Sequence, residues 1–517
     1  MSAVTKLKLH NFKRFDDLTV EFKENINVLI GDNESGKSTL LTALDYALSG
    51  SDHRVRNAGI EHLFNTRCIA DFFESARGFE NLPTMWVEVY FDEQSNHRLN
   101  GENNSDGVCC DGIKLICEPA SHYCDEITEV LTESGDHFPF EYYSIKFKTF
   151  SGEAYSGYRR VLKHLLIDSS QLNNDYATRE YVKDVYKVST DTKQRHLHQL
   201  EFRRAKSTFK NTHLCSLNDG IEAYDFSLRT GGKASLENEL TIVEDEVQIE
   251  HRGKGRQSLI KTEFALNRAG VIDLVLLEEP ENHLSHGSMK KMIQEFTKKT
   301  ERQLILTTHS SLFTARLGLE NCIFLGSTGV SAALADVAPD TQAFFKKAPE
   351  NNLLQLVLSK KVILVEGDAE FILMEQLYKN VRDKLPEEDD VHIISVGGTS
   401  FKRYLDVART IDIKVAVIRD NDGDYTQNCA ERYAAYTEDF LRVFADIDDQ
   451  VYTFEVAMYR NNLSKCEEFF SGERITLPAV EHMLSNKTKV ALRLLTDVGD
   501  DLVVPAYIRE AITWLVE

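Results

Sequence analysis

Apolar and polar positions alternate along the first part of the chain, and this period of two predicts β-strands. The alternation covers residues 7–12, 18–22 and 85–91, whereas residues 26–30 form an apolar run typical of a buried strand. A glycine-bearing loop follows that run and leads into a predicted apolar helix at residues 39–48. Loops of this kind at strand ends are typical of ligand sites in α/β proteins.

The pattern changes further along the chain. Residues 158–210 are helix-like and mixed in charge, and two strongly apolar strands follow, the second at residues 303–307. The pattern weakens around Pro339 and Pro349, which predicts a linker, and a fresh alternation begins at Lys361. Alternating strands and helices predict the α/β fold class with largely parallel sheets.

Composition adds limits on size, compartment and partners. A chain of 517 residues is too long for one domain, so we expect two to four. Its net charge of −22 argues against bulk coating of nucleic acid, so DNA contact would need local basic patches or metal ions. Nine sparse cysteines predict reduced thiols and a cytoplasmic protein. The sequence has no signal-peptide pattern and no membrane-length apolar run, so we expect no membrane association.

Two weaker patterns have simple interpretations. A cysteine cluster between Cys109 and Cys124 contains no C-x-x-C pair, so a strand with buried thiols at 112–118 is favoured over zinc. Basic runs at residues 203–210 and 252–261 could contact phosphates, but a charge run is usually a solvated face.

The first motif that carries chemistry lies at residues 31–38. These residues read Gly-Asp-Asn-Glu-Ser-Gly-Lys-Ser and fit the phosphate-binding loop pattern G-x-x-x-x-G-K-[ST]. We expect Lys37 to reach the β- and γ-phosphates of ATP and Ser38 to bind Mg²⁺, with Asn33, Gly36 and Thr39 as further contacts. A simple glycine turn is the alternative, but strand, motif and helix occur in the required order.

Acidic residues end a later apolar strand. Residues 274–281 read Leu-Val-Leu-Leu-Glu-Glu-Pro-Glu, which places two carboxylates at a strand tip. We expect Glu278 to lie on the metal side and Glu279 to act as the base for the attacking water. The strand at 304–308 ends at His309, a candidate γ-phosphate contact.

These three elements together resemble ATP-binding-cassette (ABC-type) ATPases of the chromosome-maintenance and recombination branch, in which an insertion separates the two cassette halves. The resemblance implies a signature segment, matched here by residues 253–258, although the usual leading Leu-Ser is absent. By resemblance, Gly255 and Gln257 would contact ATP bound by a partner subunit. The acidic pair also departs from the common Asp-Glu by using Glu-Glu.

A second group of acids lies in the last third of the chain. An apolar strand ends at Glu366, with Glu370 one helical turn beyond it, and another strand ends in Asp420 and Asp422. Strand tips of a parallel sheet meet at one edge, where clustered carboxylates favour Mg²⁺ or Mn²⁺. Two such ions can align a water for phosphodiester cleavage. A lone Asp-x-Asp is common in solvated turns, but the ordered Glu-Gly strand, glycine turn and Asp-x-Asp strand resemble the TOPRIM domain.

An ABC-type ATPase followed by a TOPRIM domain resembles the OLD (overcoming lysogenization defect) family of ATP-dependent nucleases, of the anti-phage defence type (Gabija-like or retron-associated). The resemblance implies a further acid, matched by Glu455, and a lysine, for which Lys487 is favoured over Lys489. The implied domains are the first ATPase part at 1–155, an inserted helical dimerisation region at 156–212, the second ATPase part at 213–345 and the TOPRIM domain at 358–517.

The function implied by this resemblance is ATP-regulated, metal-dependent DNA cleavage by a homodimer or higher homo-oligomer. A helicase, or a retron reverse transcriptase with its nucleic acid, would be a possible partner by the same resemblance. One alternative is a non-nuclease ATPase of the chromosome-maintenance or recombination-mediator kind with a structural TOPRIM domain. A second is a TOPRIM strand-passage or primase enzyme, but we find no room for a domain presenting a tyrosine nucleophile.

Overall fold

A computed structural model of the chain divides it into two compact units. The first comprises Met1–Thr308 and Leu325–Ser331, and the second comprises His309–Phe324 and Ala332–Glu517. The described residues are 3–75, 77–92, 96–132, 137–157, 161–169, 175–219, 224–229, 234–267, 272–298, 302–326, 331–348, 352–398, 400–470 and 477–517.

The first unit contains both strands and helices. Its strands are β1 (Val4–Phe12), β2 (Phe15–Glu21), β3 (Ile26–Gly31), β4 (Met85–Phe91), β5 (Asn100–Gly101), β6 (Cys110–Pro119), β7 (Tyr143–Thr149), β8 (His164–Asp168), β9 (Val243–Glu244), β10 (Val247–Gln248), β11 (Leu274–Glu278) and β12 (Gln303–Thr307). Its helices are α1 (Lys37–Ser49), α2 (Asp52–Asn57), α3 (Thr66–Glu74), α4 (Cys124–Thr132), α5 (Asp175–Ser189), α6 (Thr192–His213), α7 (Cys215–Asn218), α8 (Leu236–Glu239), α9 (Lys254–Leu266) and α10 (His286–Lys298).

An antiparallel sheet forms one layer of this unit. Its strands follow the order β2-β1-β4-β6-β5, with β7 also paired to β6. Alternate residues of β1, including Leu7 and Leu9, are buried, which is the pattern of a strand with one face on the core. The predicted strand at 112–118 lies within β6, where Cys117 is buried.

A parallel sheet forms the second layer and positions the predicted ATP site. Its strands run in the order β3-β12-β11-β8 within this unit. The apolar residues of β3, β11 and β12 are almost fully buried, as expected for parallel strands covered on both faces. Their carboxyl ends therefore lie along one edge, where Glu278 is in register with Thr307 on one side and Asp168 on the other.

The helical prediction for residues 158–210 is wrong at β8. This strand pairs with β11 along its whole length, so part of the segment belongs to the sheet of the first unit. Its apolar core of Leu165, Leu166 and Ile167 is too short to show a period of its own. The helices α5 and α6 occupy the rest of the described segment.

The second unit begins at His309, and its boundaries with the first unit also fall within two short strands, β13 (Cys322–Leu325) and β14 (Ser331–Ala333). Its remaining strands are β15 (Lys361–Val365), β16 (Val391–Ser395), β17 (Lys414–Ile418) and β18 (Leu441–Phe444). Its helices are α11 (Ser311–Leu317), α12 (Pro339–Lys347), α13 (Leu353–Val357), α14 (Asp368–Arg382), α15 (Phe401–Thr410), α16 (Phe454–Asn461), α17 (Leu463–Phe470), α18 (Ala479–Ser485), α19 (Lys487–Asp497) and α20 (Ala506–Val516).

A four-stranded parallel sheet forms the centre of the second unit, in the order β16-β15-β17-β18. Apolar residues of its strands and of the later helices form one buried core, which includes Ile363, Ala416, Met458 and Ile512. The predicted α/β class with parallel sheets is thereby confirmed.

Two local predictions in this unit are wrong. The predicted linker around Pro339 and Pro349 is wrong at Pro339, which begins helix α12, because a proline is well tolerated at the first helical position; Pro349 lies outside the described residues. Glu455, predicted at the end of a strand, lies in the first turn of α16, which Thr453 caps by accepting from the Val456 N–H.

Candidate functional site

The phosphate-binding loop connects β3 to α1. Gly36 precedes the helix with φ of 99°, a left-handed conformation that glycine adopts without steric cost. Lys37 Nζ donates to the carbonyls of Gly31 and Asp32, both at 2.8 Å, so the lysine lies along the loop. Burial lowers the pKa of Lys37, and the charge of Glu279 is the largest opposing effect. Asn33, Ser38 and Thr39 lie in the same loop and the first helical turn.

The turn between β1 and β2 covers the phosphate-binding loop. The sequence did not predict this contact. A Cβ on Gly36 would collide with the ring of Phe15 and crowd the side chain of Arg14. Burial lowers the pKa of the neighbouring Lys13, and the charge of Glu278 partly offsets this by raising it. Such a turn gives little sequence signal of a functional contact, because two basic residues between two strands usually lie in a solvated hairpin turn.

Glu278 lies at the tip of β11, close to the start of helix α1. Burial raises the pKa of Glu278, a hydrogen bond from Ser38 lowers it, and the charge of Asp168 raises it further. The predicted Mg²⁺ pair of Ser38 and Glu278 is therefore in contact. Asp168, at the tip of β8, is an acid that sequence reasoning missed because it lies in the segment read as helical.

Glu279 has a strained backbone and a held carboxylate. Its φ is 44°, which is uncommon for a residue with a Cβ and concentrates at functional sites. Its N–H donates to the carbonyl and Oγ1 of Thr307, each at 3.1 Å. Asn282 Nδ2 donates to Glu279 Oε2 at 2.9 Å. Both ends of the residue are thus fixed at the edge where Lys37 lies.

The remaining predicted ATP residues have different surroundings. His309 is half-buried and follows Thr308 directly, at the first position of the second unit. Gly255 lies in the first turn of α9, where a Cβ would collide with the carbonyl of His283. Gln257 is buried, and its Nε2 donates to the Arg252 carbonyl at 2.8 Å. The contact of Gly255 and Gln257 with ATP bound by a second subunit remains a prediction.

Asp420 is the central acid of the second predicted site. It follows β17, and its Oδ1 accepts from the N–H of Phe454 at 2.8 Å. Burial, together with the charges of Glu370, Glu366 and Glu455, raises the pKa of Asp420 to about 8, and the charge of Lys487 opposes this. These carboxylates therefore share one electrostatic environment at the edge of the parallel sheet.

Glu366 and Glu370 flank the start of α14. Burial raises the pKa of Glu366, and the positive charge of Arg419 opposes this. Burial also raises the pKa of Glu370, and the N–H of Glu370 itself lowers it. Both acids are thus held at a cost that a bound cation would offset.

Lys487 pairs with Glu455 across two helices. Lys487 Nζ donates to Glu455 Oε2 at 2.9 Å, and the Glu455 side chain is only 3% exposed. Burial lowers the pKa of Lys487, but the bond to Glu455 and the nearby acids outweigh it, so the net direction is upward. Lys489 lies exposed two residues later. Of the two lysines, Lys487 is the one that contacts this acid.

Asp422 lies in a turn with φ of 54°. Its N–H donates to the carbonyl of Tyr452 at 3.2 Å, and its Oδ2 accepts from Arg419 Nη2 at 2.9 Å. The neighbouring Asp424 instead accepts from the Gln427 N–H at 2.9 Å, so it caps the following helical turn.

The donor set of this second site suits hard divalent cations. Among the described residues, Glu366 Oε2 and Glu455 Oε1 are buried without a hydrogen-bond partner. Oxygen-only ligands of this kind match Mg²⁺ or Mn²⁺. With side chains oriented as they are, no His, Cys, Asp or Glu trio in the described part of the chain is ready to hold a metal. Lys487 engages Oε2 of Glu455, and Arg419 engages Oδ2 of Asp422 and leaves its Oδ1 for a cation, so ligation requires rotation of the glutamate side chains.

Comparison with known proteins matches both halves of this arrangement. Residues 357–422 match the model of the "Overcoming lysogenization defect protein-like, TOPRIM domain", and residues 6–385 match the model of the "AAA domain". The described residues contain no helix that is both long and apolar enough to cross a membrane.

Curated relatives include the DNA replication and repair protein RecF of Limosilactobacillus reuteri, 47% identical over 55 residues, and that of Clostridium tetani, 45% identical over 51 residues. Each match covers 10% of this chain and 14% of the relative's own length.

Solved structures include the recombination mediator protein RecF with ATP, at 12% identity and a TM-score of 0.37, covering 64% of this chain and 98% of that one. Another is the Smc head domain bound to the C-terminal domain of ScpA, derived from Pyrococcus furiosus, at 15% identity and a TM-score of 0.35, covering 67% and 100%. Both TM-scores are too low to establish a shared fold.

The AAA domain model covers well over half of the chain and includes the phosphate-binding loop and the strand that ends at Glu278. The TOPRIM model covers the strands that end at Glu366 and Asp420. The chain therefore belongs to the AAA domain family and carries an OLD-like TOPRIM domain.

Proposed function

We propose that this chain is an ATP-binding and ATP-hydrolysing DNA endonuclease that depends on Mg²⁺ or Mn²⁺. The observation that carries the proposal is the shared electrostatic environment of Asp420 with Glu366, Glu370 and Glu455, beside Lys487. These residues come from separate elements of the second unit and have no common structural task, since buried acids that face each other destabilise a fold.

The acids and the lysine have different tasks in this proposal. The cations would be held by five acids, namely Glu366, Glu370, Asp420, Asp422 and Glu455. When bound, the cations would polarise a water and stabilise the leaving oxygen. Lys487 carries a positive charge beside them and would stabilise charge that develops on the phosphate.

The ATPase half would regulate cleavage. Lys37, with Asn33, Gly36 and Thr39, would hold the phosphates, and Ser38 with Glu278 would hold Mg²⁺. Glu279 would act as the base and His309 would contact the γ-phosphate. Gly255 and Gln257 would complete the site from a second copy, which makes a homodimer or higher homo-oligomer part of the proposal.

The domain and cellular assignments belong to the same proposal. The ATPase parts would span 1–155 and 213–345, the dimerisation region 156–212 and the TOPRIM domain 358–517. The protein would act in the cytoplasm in anti-phage defence, of the Gabija-like or retron-associated type. Its partner besides DNA would be a helicase, or a retron reverse transcriptase with its nucleic acid.

A second candidate is a non-nuclease ATPase of the recombination-mediator kind. The specific observation in its favour is the 47% identity over 55 residues with a protein that is named DNA replication and repair protein RecF. In this alternative, the acids of the second unit are structural.

Incubation of supercoiled plasmid with protein and Mn²⁺, with and without ATP, separates the two candidates. Nicked or linear product is expected from the wild type and none from Asp420→Ala, which should keep its ATPase activity. Lys37→Ala should lose ATP binding and keep metal binding at the second site. Failure of the wild type to cut under any metal or nucleotide condition supports the mediator, and religated topoisomers support strand passage.

A further inference from the structure

The buried arginine before the Asp-x-Asp turn has no task in the proposed chemistry. The side chain of Arg419 is 0% exposed, and Arg419 is the largest fully buried side chain among the described residues. A buried guanidinium is costly unless its donors are satisfied and its charge is matched. Its contacts therefore indicate what it stabilises.

All three side-chain hydrogen bonds of Arg419 concern the turn or its support. Nε donates to the main-chain carbonyl of Asp420 at 2.9 Å, and Nη2 donates to Asp422 Oδ2 at 2.9 Å. Nη1 donates to the hydroxyl of Tyr433 at 3.0 Å. The guanidinium thus connects the backbone of Asp420 to the side chain of Asp422, and the hydroxyl of Tyr433 accepts its remaining hydrogen bond.

The turn needs such support because its own backbone is strained. Asp422 has a positive φ, and its side chain is 51% exposed, so solvent alone would leave several rotamers open to it. Asn421 between the aspartates is buried and donates to the carbonyls of Asp446 and Asp448. The backbone is thereby anchored, and Arg419 is left to orient the exposed carboxylate.

We propose that Arg419 is a positioning residue that orients the Asp422 carboxylate for divalent cations. The proposal rests on the proposed nuclease site. Arginine suits this task because its planar fork reaches two acceptors in fixed directions, which lysine cannot do. Groups that orient metal ligands typically contribute about 10- to 100-fold in metal affinity.

Direct Mn²⁺ binding without DNA or nucleotide tests the inference. The full-length wild type is titrated by calorimetry, and the binding that Asp420→Ala removes defines the ions of this site. Arg419→Lys keeps the charge and loses the fork, so we expect about 10-fold weaker Mn²⁺ binding, and about 100-fold weaker binding for Arg419→Met. Tyr433→Phe should weaken binding by a smaller factor.

Arg442→Met is the matched control. Arg442 lies exposed on β18 in the same sheet, with its guanidinium 4.9 Å from the Phe444 ring. This variant should bind Mn²⁺ as the wild type does. Thermal unfolding of each variant separates loss of fold from loss of affinity.

Two results overturn the inference: folded Arg419→Lys and Arg419→Met proteins that bind Mn²⁺ within twofold of wild type, or a wild type without binding sensitive to Asp420→Ala. Plasmid cleavage is scored separately. A wild type that binds Mn²⁺ but does not cut refutes the nuclease proposal, while the affinities still decide the role of Arg419.

Discussion

Replacement of a buried lysine in the first unit is expected to change the free energy of unfolding by an amount that follows from its pKa. Lys261 on α9 is 3% exposed, and burial lowers its pKa from 10.5 to about 8. Its Nζ donates to Thr178 Oγ1 at 3.1 Å and lies 5.4 Å from the ring of Tyr181 on α5. We therefore expect Lys261→Met to stabilise the protein at pH 7.

The magnitude follows from the two pKa values. At about 1.36 kcal/mol per pKa unit, a decrease from 10.5 to about 8 costs the protonated folded state about 3 kcal/mol. Loss of the Thr178 hydrogen bond and the ring contact offsets about 1–2 kcal/mol of this. The net gain for Lys261→Met at pH 7 is then about 1–2 kcal/mol.

The pH dependence provides a second check. Below pH 8 the lysine is protonated in both states, so the full cost is present. Between about pH 8 and 10.5 the unfolded chain binds more protons, so wild-type stability rises with pH from this group. Lys261→Met lacks this contribution, and its advantage over wild type should therefore shrink across this range.

Urea unfolding at pH 7 and pH 9.5 measures both effects. Lys254→Met is the matched control, because Lys254 is exposed on the same helix and its replacement should change stability by less than about 0.5 kcal/mol. A Lys261→Met protein less stable than wild type at pH 7, or an advantage that grows with pH, refutes the reasoning.

Three further outcomes are expected. Glu279→Gln should keep ATP binding and lower ATP turnover about 100-fold or more, measured by phosphate release, because it removes a base and not a phosphate contact. Lys487→Met should lower plasmid cleavage at least about 10-fold, whereas exposed Lys489→Met should cleave at the wild-type rate. Cleavage should rise with Mn²⁺ concentration with a Hill coefficient above one, since two ions are proposed; a hyperbolic curve would count against the second ion.

The acids at strand tips were predictable because each follows an apolar run. Glu278, Glu366 and Asp420 end runs that are almost fully buried, and parallel strands bring such ends to one edge. The same rule failed at Asp168, whose strand is short and lies among helix-like residues. Short strands take their pairing from a partner that local periodicity cannot reveal.

The supporting residues were not predictable for a different reason. Arg419 reads as one more charged residue beside acids, and its burial depends on Tyr433, fourteen positions later and beyond a loop. Lys13 similarly has the sequence pattern of a hairpin-turn residue, although the charge of Glu278, which is distant in sequence, raises its pKa. In both cases the functional environment comes from tertiary contacts, for which a single sequence carries no periodic signal.

The charge of the second site also bears on the acidic character of the whole chain. If all five carboxylates are ionised, Arg419, Lys487 and Arg432 leave two negative charges uncompensated, which repels a phosphate. One divalent cation makes the site neutral, whereas two make it positive. A chain of net charge −22 can thus attract the DNA backbone at this edge only when the acids hold two ions, so metal binding and DNA binding are expected to be coupled.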